Sequence, residues 1–195
     1  ANPCLVELET GTGLYSDDIM DFWRPNYRDE ALVEGHYSAK MYLHALQQTW
    51  QHYQESSGRQ FNQHDYFLYH TPVCRLVEKA HKALHRDHNI HLSNDEVRQA
   101  VNANLHYLRD IGNTYTAAIY ISLMSLLENS DEVLAGKRIG FFSYGSGCVA
   151  EYFSGVVQSN YHDYLYADDH QKMLAQRKAL TVDQYQQFFN NSLPT

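Results

Sequence analysis

The spacing of apolar side chains along this chain switches between a helical and an extended rhythm several times. From Tyr37 to roughly Glu55, Met41, Tyr42, Ala45, Leu46, Thr49 and Tyr53 recur at helical spacing, and Ser56-Ser57-Gly58 supplies a stop. Asp65 to Tyr69 reads as a short buried strand, after which Pro72 starts a helix running to about His88. Ser93-Asn94-Asp95-Glu96 has the form of a capping box, opening a helix to about Asp110 that Gly112 closes. Thr114 to Leu127 is apolar nearly all round, which predicts a helix buried on most of its sides. Lys137 to Phe142 and Cys148 to Val157 are apolar enough to be two strands of one sheet.

The ends of the chain are less regular. Cys4 to Leu8 reads as a strand stub, with Gly11 and Gly13 making a turn. Residues 14–36, with Trp23-Arg24-Pro25-Asn26 in their middle, predict an irregular segment crossing the surface or the mouth of a site. Asp168 to about Lys178 is a polar helix, and Thr181-Val182-Asp183-Gln184 a second capping box before a short terminal helix. Strands and helices interleave, so the predicted class is α/β, with helices covering a sheet.

Composition narrows the function. A chain of 195 residues, 44% hydrophobic and 13% aromatic, can bury one core. Its 15 basic and 23 acidic residues give a net charge of −8, which argues against a nucleic-acid partner. No apolar run approaches the roughly 20 residues a membrane span needs. Cys4, Cys74 and Cys148 are odd in number and lack CxxC spacing, which fits reduced thiols of a cytoplasmic protein.

Several residues carry candidate chemistry. His70 ends a strand just before Pro72 turns the backbone, and strand ends are where α/β proteins place ligands. A structural histidine satisfied by hydrogen bonds would sit there equally well. Arg75, Lys79, Lys82 and Arg86 follow at separations of four, three and four, which puts four cations on one helix face. That face is either solvated or a landing site for an anionic partner. Asn113 follows Gly112 and caps the next helix or binds a ligand. Ser143-Tyr144-Gly145-Ser146-Gly147 is a small-residue loop that serves as a tight turn or presents Ser146 and backbone N–H groups to a ligand. Ser143 is the weaker candidate, since its side chain could face the core. Cys74 and Cys148 read as small buried hydrophobes, and His81, His85, His88 and His91 lack the partners of a zinc site, so no metal is expected.

Tyr69-His70-Thr71-Pro72, Gly112-Asn113 and Gly145-Ser146-Gly147-Cys148-Val149-Ala150-Glu151-Tyr152-Phe153-Ser154-Gly155 occur in that order. With Asp18 to Pro25 and Leu180 to Tyr185, they resemble the C-terminal half of a 3-hydroxy-3-methylglutaryl-CoA synthase, over nearly the whole chain. The His-Thr-Pro form and the glycine-loop run look most like the branch that installs β-branches on polyketide intermediates held by acyl carrier proteins. The resemblance implies the second half of a layered thiolase-like fold, a mixed sheet covered by helices. It also implies a homodimer and an acyltransferase that adds an acetyl group to the β-keto carbon of an acceptor thioester. In the family, a cysteine nucleophile and a catalytic glutamate precede the point where this sequence begins, so the chain resembles one part of a larger polypeptide and is expected to need the rest for catalysis.

Residue by residue, the resemblance makes His70 the acid at the acceptor's keto oxygen, a task an imidazole can perform without a large pKa shift. It makes Asn113 and Ser146 polar contacts to the acceptor, and Arg75 and Lys79 contacts to coenzyme A. Arg75 stands where lysine is more usual, which leaves its geometry open. Lys82 and Arg86 lie farther along the same face, placed to meet an acidic carrier protein. The phosphopantetheine thioester, on a carrier protein or on coenzyme A, is then substrate rather than resident cofactor. A thioester- or carrier-binding module that keeps the fold and has lost the nucleophile is the reading from outside the enzyme class.

Overall fold

The structure, a computed structural model, describes residues 4–190. The chain divides into two compact units, Ala1–Leu165 and Tyr166–Thr195.

The first unit is built on a five-stranded mixed sheet. Its centre is the antiparallel pair β6 (Arg138–Gly145) and β7 (Val149–Val157). Strand β5 (Tyr66–Tyr69) lies parallel to β6, while β1 (Val6–Leu8) and β2 (Gly13–Ser16) pair antiparallel with successive stretches of β7. Period-two alternation sorts side chains to the two faces. Phe67, Tyr69, Phe142, Tyr144, Ala150 and Tyr152 point to one cluster, packed by α1 (Gly35–Ser57), α2 (Cys74–Asp87) and α4 (Asn102–Ile111). Leu68, Ile139, Phe141 and Val157 point to the other, packed by α5 (Ala118–Asn129). The α/β class and the mixed sheet are as the sequence predicts.

Five local differences stand out. The stretch 13–16 is a strand rather than part of a turn and an irregular run. Gly13 is required there by the close crossing of α1: a Cβ would overlap the Thr49 carbonyl oxygen and approach the Tyr53 amide nitrogen to 2.5 Å. Within 14–36, Phe22–Trp23 (β3) and Leu32–Val33 (β4) also pair with each other. The helix after Ser93 is two helices, α3 (Asn94–Ala100) and α4, broken at Val101 (φ −101°, ψ 10°). Val101 and Asn102 are both weak helix formers, so little propensity resists the break. Helix α2 begins at Cys74 rather than Pro72, because Val73 remains extended (φ −148°, ψ 143°). Strand β6 continues through Ser143 and Tyr144 to Gly145, paired with Val149, so the glycine loop shrinks to a turn at Ser146 and Gly147 (φ 124°).

Helix α5 meets the expectation of burial on most sides but begins at Ala118, after a 3₁₀ turn at Tyr115–Ala117, rather than at Thr114. It buries Ala118, Ile119, Ser122, Ser125, Leu126 and Leu127, but Tyr120 is 62% exposed. Its apolar outer side faces away from the sheet and α4, the two layers that pack it within this unit.

The second unit contains α6 (Ala167–Ala175) and α7 (Val182–Asn190). The expected capping box is formed: the Gln184 amide donates to Thr181 Oγ1 at 3.2 Å and the Thr181 amide to Gln184 Oε1 at 2.9 Å. The equivalent pair at Ser93 and Glu96 is formed as well.

Candidate active site

A cavity of about 670 Å³ opens where β5 and β6 end, between the first turns of α1 and α2. Every residue expected near the acceptor, His70, Asn113, Ser146, Arg75 and Lys79, lies on its wall. Sequence spacing alone did not require that convergence, since these residues come from three separate loops and a helix.

His70 is fixed by its backbone. Its N–H donates to the Phe142 carbonyl at 2.7 Å, extending the β5–β6 ladder, and its own carbonyl accepts from Tyr42 Oη at 2.7 Å. The ring is 8% exposed, with its centroid 6.3 Å from that of Tyr144. Burial pulls its pKa down to about 4, partly opposed by a hydrogen bond to the Tyr115 backbone. This corrects the expectation of a near-ordinary pKa: in this structure the imidazole is neutral at pH 7.

Asn113 makes a local turn ahead of the helix rather than capping it, and it lines the cavity. Its Oδ1 accepts from the Tyr115 amide at 2.8 Å, holding Tyr115 in a left-handed conformation (φ 55°) at the start of the 3₁₀ turn before α5. With Oδ1 engaged, the side-chain NH₂ is the group left for a ligand.

Ser146 belongs to a cluster centred on a residue that sequence reasoning passed over. Asp21 is fully buried, and its Oδ2 accepts from Ser38 Oγ at 2.7 Å, Ser146 Oγ at 2.9 Å and Tyr144 Oη at 3.2 Å. Each hydroxyl is placed to give its proton to the carboxylate, which leaves an oxygen lone pair on Ser38, Tyr144 and Ser146, all three of which line the cavity. Asp21 Oδ1 is buried with no hydrogen-bond partner. The available signal was a lone carboxylate in the run Ile19-Met20-Asp21-Phe22-Trp23. Backbone bonds from Asp17 N to Cys148 O (3.1 Å), Cys148 N to Asp17 O (2.7 Å) and Ile19 N to Gly147 O (3.0 Å) lace the same segment to the glycine turn.

The basic stripe splits in two. Arg75 and Lys79 line the main cavity, and Arg75 is ion-paired to Glu78 while two-thirds exposed. Lys79, Lys82 and Arg86 line a neighbouring groove with Leu43, Ile90, His91 and Leu92. Lys79 borders both, so the cationic surface is continuous from the cavity outward. Lys82 Nζ donates to Asn94 Oδ1 at 2.9 Å, and Arg86 lies 4.0 Å from Asp87.

The thiols behave as small hydrophobes. Burial raises the pKa of both Cys74 and Cys148, the reverse of what a nucleophile needs. His81, His85 and His88 pack as aromatic rings around Phe61 and Phe67, and among the described residues no three metal-ligating side chains are placed to share an ion.

The family profile described as "Hydroxymethylglutaryl-coenzyme A synthase C terminal" matches residues 8–89 and 82–192. The chain belongs to the hydroxymethylglutaryl-CoA synthase family. It is 32% identical, over its full length, to 51% of the hydroxymethylglutaryl-CoA synthase of Enterococcus faecalis. Its fold matches a crystal structure of an HMG-CoA synthase complexed with CoA (TM-score 0.84, 35% identity, 95% of this chain and 48% of that one). It matches the HMG synthase of the curacin biosynthetic pathway in complex with acetyl donor-ACP equally well (TM-score 0.86, 31% identity, 95% of this chain and 46% of that one). These relatives fix the thiolase-like fold of the family. The chain spans about half the length of each relative it matches.

Proposed function

We propose that this chain forms the acceptor side of an acyltransferase of the hydroxymethylglutaryl synthase type. The observation that carries the reading is the meeting of His70, Asn113, Ser146, Arg75 and Lys79 on one cavity wall. The family resemblance implies the reaction: an acetyl group on a cysteine of the remaining half adds to the β-keto carbon of an acceptor thioester, and hydrolysis frees the product. A glutamate of that half removes the methyl proton.

Each group on this side has a part set by its hydrogen bonding. The Asn113 NH₂ donates to the thioester or keto oxygen. Ser146, its proton held by Asp21, accepts from an N–H of the pantetheine arm. Arg75 and Lys79 meet the arm's phosphate. Neutral His70 donates a ring N–H to the keto oxygen and stabilises the negative charge that develops there on addition; the ring passes that proton to the alkoxide and recovers one in turn, the net source being the methyl proton that the glutamate takes.

The acceptor in this reading rides on an acyl carrier protein. The groove lined by Lys79, Lys82 and Arg86 supports it, because it prolongs the cationic surface outward from the cavity. A carrier domain is acidic, and exposed cations act mostly by steering it. The alternative, acetoacetyl-CoA as acceptor, uses Arg75 and Lys79 alone. In the full-length natural protein, Lys82→Glu/Arg86→Glu should cut kcat/KM for an acetoacetyl-carrier about tenfold at low salt. The deficit should shrink as ionic strength rises, and acetoacetyl-CoA should be nearly unaffected. Unchanged rates on both acceptors would leave the CoA reading in place and reduce the groove to a solvated face.

A further inference from the structure

The segment between Asp21 and Glu34 leaves the folded core and returns to almost the same point. The Glu34 amide donates to the Asp21 carbonyl at 2.9 Å, closing the base of the excursion, and Phe22–Trp23 pair with Leu32–Val33 above it. The tip, residues 24–31, is held by an Arg28 amide bond to the Pro25 carbonyl (3.2 Å) and an exposed Arg28–Glu30 pair at 3.7 Å. No described hydrogen bond ties a residue from 22 to 33 to one outside the hairpin.

This hairpin overhangs the cavity. Phe22 and Val33, cross-strand partners at its base, both line the cavity and are 39% and 60% exposed there. Apolar side chains facing an open, polar-floored cavity gain by folding onto a ligand. The hinge has a fixed post and a free joint. Asp21 is fully buried and bonded through its carboxylate to Ser38, Tyr144 and Ser146, whereas at Gly35, just after the Glu34 carbonyl that accepts from the Ser38 amide at 2.8 Å, an added Cβ would meet nothing within 4 Å.

We propose that residues 22–33 are a lid over the acceptor cavity, hinged at Asp21 and Glu34–Gly35, that closes its Phe22–Val33 face on a bound thioester. Through the Asp21 carboxylate, closure is transmitted to Ser146 in the glycine turn. The lid rests on the acyltransferase reading. An acetyl-derived carbanion equivalent is quenched by any proton from water, so a cover that excludes water protects the step.

Amide hydrogen exchange on the full-length natural protein, free and saturated with acetoacetyl-CoA, tests it, with calorimetry recording binding separately. In the free protein, amides 24–33 should exchange fast while those of α1 from residue 42 to 53 are protected. Acetoacetyl-CoA should slow exchange in 23–33 at least about tenfold and slow 145–148 alongside. With Asp21→Ala, the protection at 145–148 should be lost while that at 23–33 persists in part. Binding by calorimetry, with residues 70–76 protected and 23–33 unchanged, would overturn the lid and leave the acyltransferase reading standing. Absence of binding would overturn both.

Discussion

At the scale of single residues, the site is a set of groups whose hydrogen bonds decide what each can offer. His70 was legible because a histidine between a strand and a proline has few purely structural reasons to be there. Its protonation was not, since burial is a property of the fold: Tyr42, Tyr144 and the 3₁₀ turn that close over the ring are distant in sequence. Asp21 was illegible for the same reason. A lone aspartate reads as surface until Ser38, Tyr144 and Ser146 are seen to converge on it. Two expectations follow. His70→Ala should leave acetylation of the nucleophile near the wild-type rate and lower condensation by about 10²–10⁴. Rapid-quench measurement of acetyl-enzyme and of product separates the steps, and near-normal condensation would remove His70 from the acceptor chemistry. Asp21→Ala should strand three hydroxyls and cost about 2 kcal/mol, seen as a fall in Tm of about 5 °C. Asp21→Asn, which keeps an acceptor, should lose less, and equal losses would show that the hydroxyl cluster contributes nothing.

At the scale of elements, long periodic segments were readable and short ones were not. Helix α1 and strand β5 matched their patterns closely, because a continuous stripe of buried residues leaves little choice of period. Strand β2 was hidden by its glycine, which is there for α1's approach rather than for a turn. The break at Val101 depends on two neighbouring weak formers, too small a signal to read. Helix α2 held the least visible feature, a run of imidazoles used as core. His81 is 5% exposed, tilted against His85 with ring centroids 4.1 Å apart and bonded to Tyr69 Oη, with Phe67 against both rings. His64 and His88 pack on Phe61, Phe67 and Trp50, with Asp87 beside His88 and Glu9 and Arg138 acting on His64. Burial lowers the pKa of all four, that of His81 to about 3. The unfolded chain binds protons near pH 6.5, whereas the folded chain resists them until lower pH. Stability is therefore complete above about pH 6.5 and is lost as pH falls from there toward about 3, where folded His81 takes up its proton. A Tm series should show a drop of about 10 °C or more over that window, with the slope reduced in His81→Leu. A flat series would mean that the imidazoles are more accessible than this packing allows.

At the scale of the whole molecule, the sheet carries the site at one end and the helices that shape it on one face. Fold class and family were both readable in the sequence, the class from interleaved periodicities and the family from three short motifs in order. Spacing placed the four cations of α2 on one face; what sequence could not supply was that this face borders the cavity at Arg75 and Lys79 and a groove at Lys82 and Arg86. Leu43 of α1 and residues 90–92 complete that groove. Among the described residues no helix is long and apolar enough to cross a membrane. The central claim is that this cavity receives an acceptor β-ketoacyl thioester and is the surface on which a carbon–carbon bond is made. Intact-mass spectrometry tests it most directly: the full-length natural protein is acetylated and incubated with an acetoacetyl-carrier, and the carrier is weighed. The account predicts a gain of C₂H₄O₂, one acetyl unit plus the water that releases it, abolished by His70→Ala. An acceptor that keeps its original mass while the nucleophile is demonstrably acetylated would contradict it.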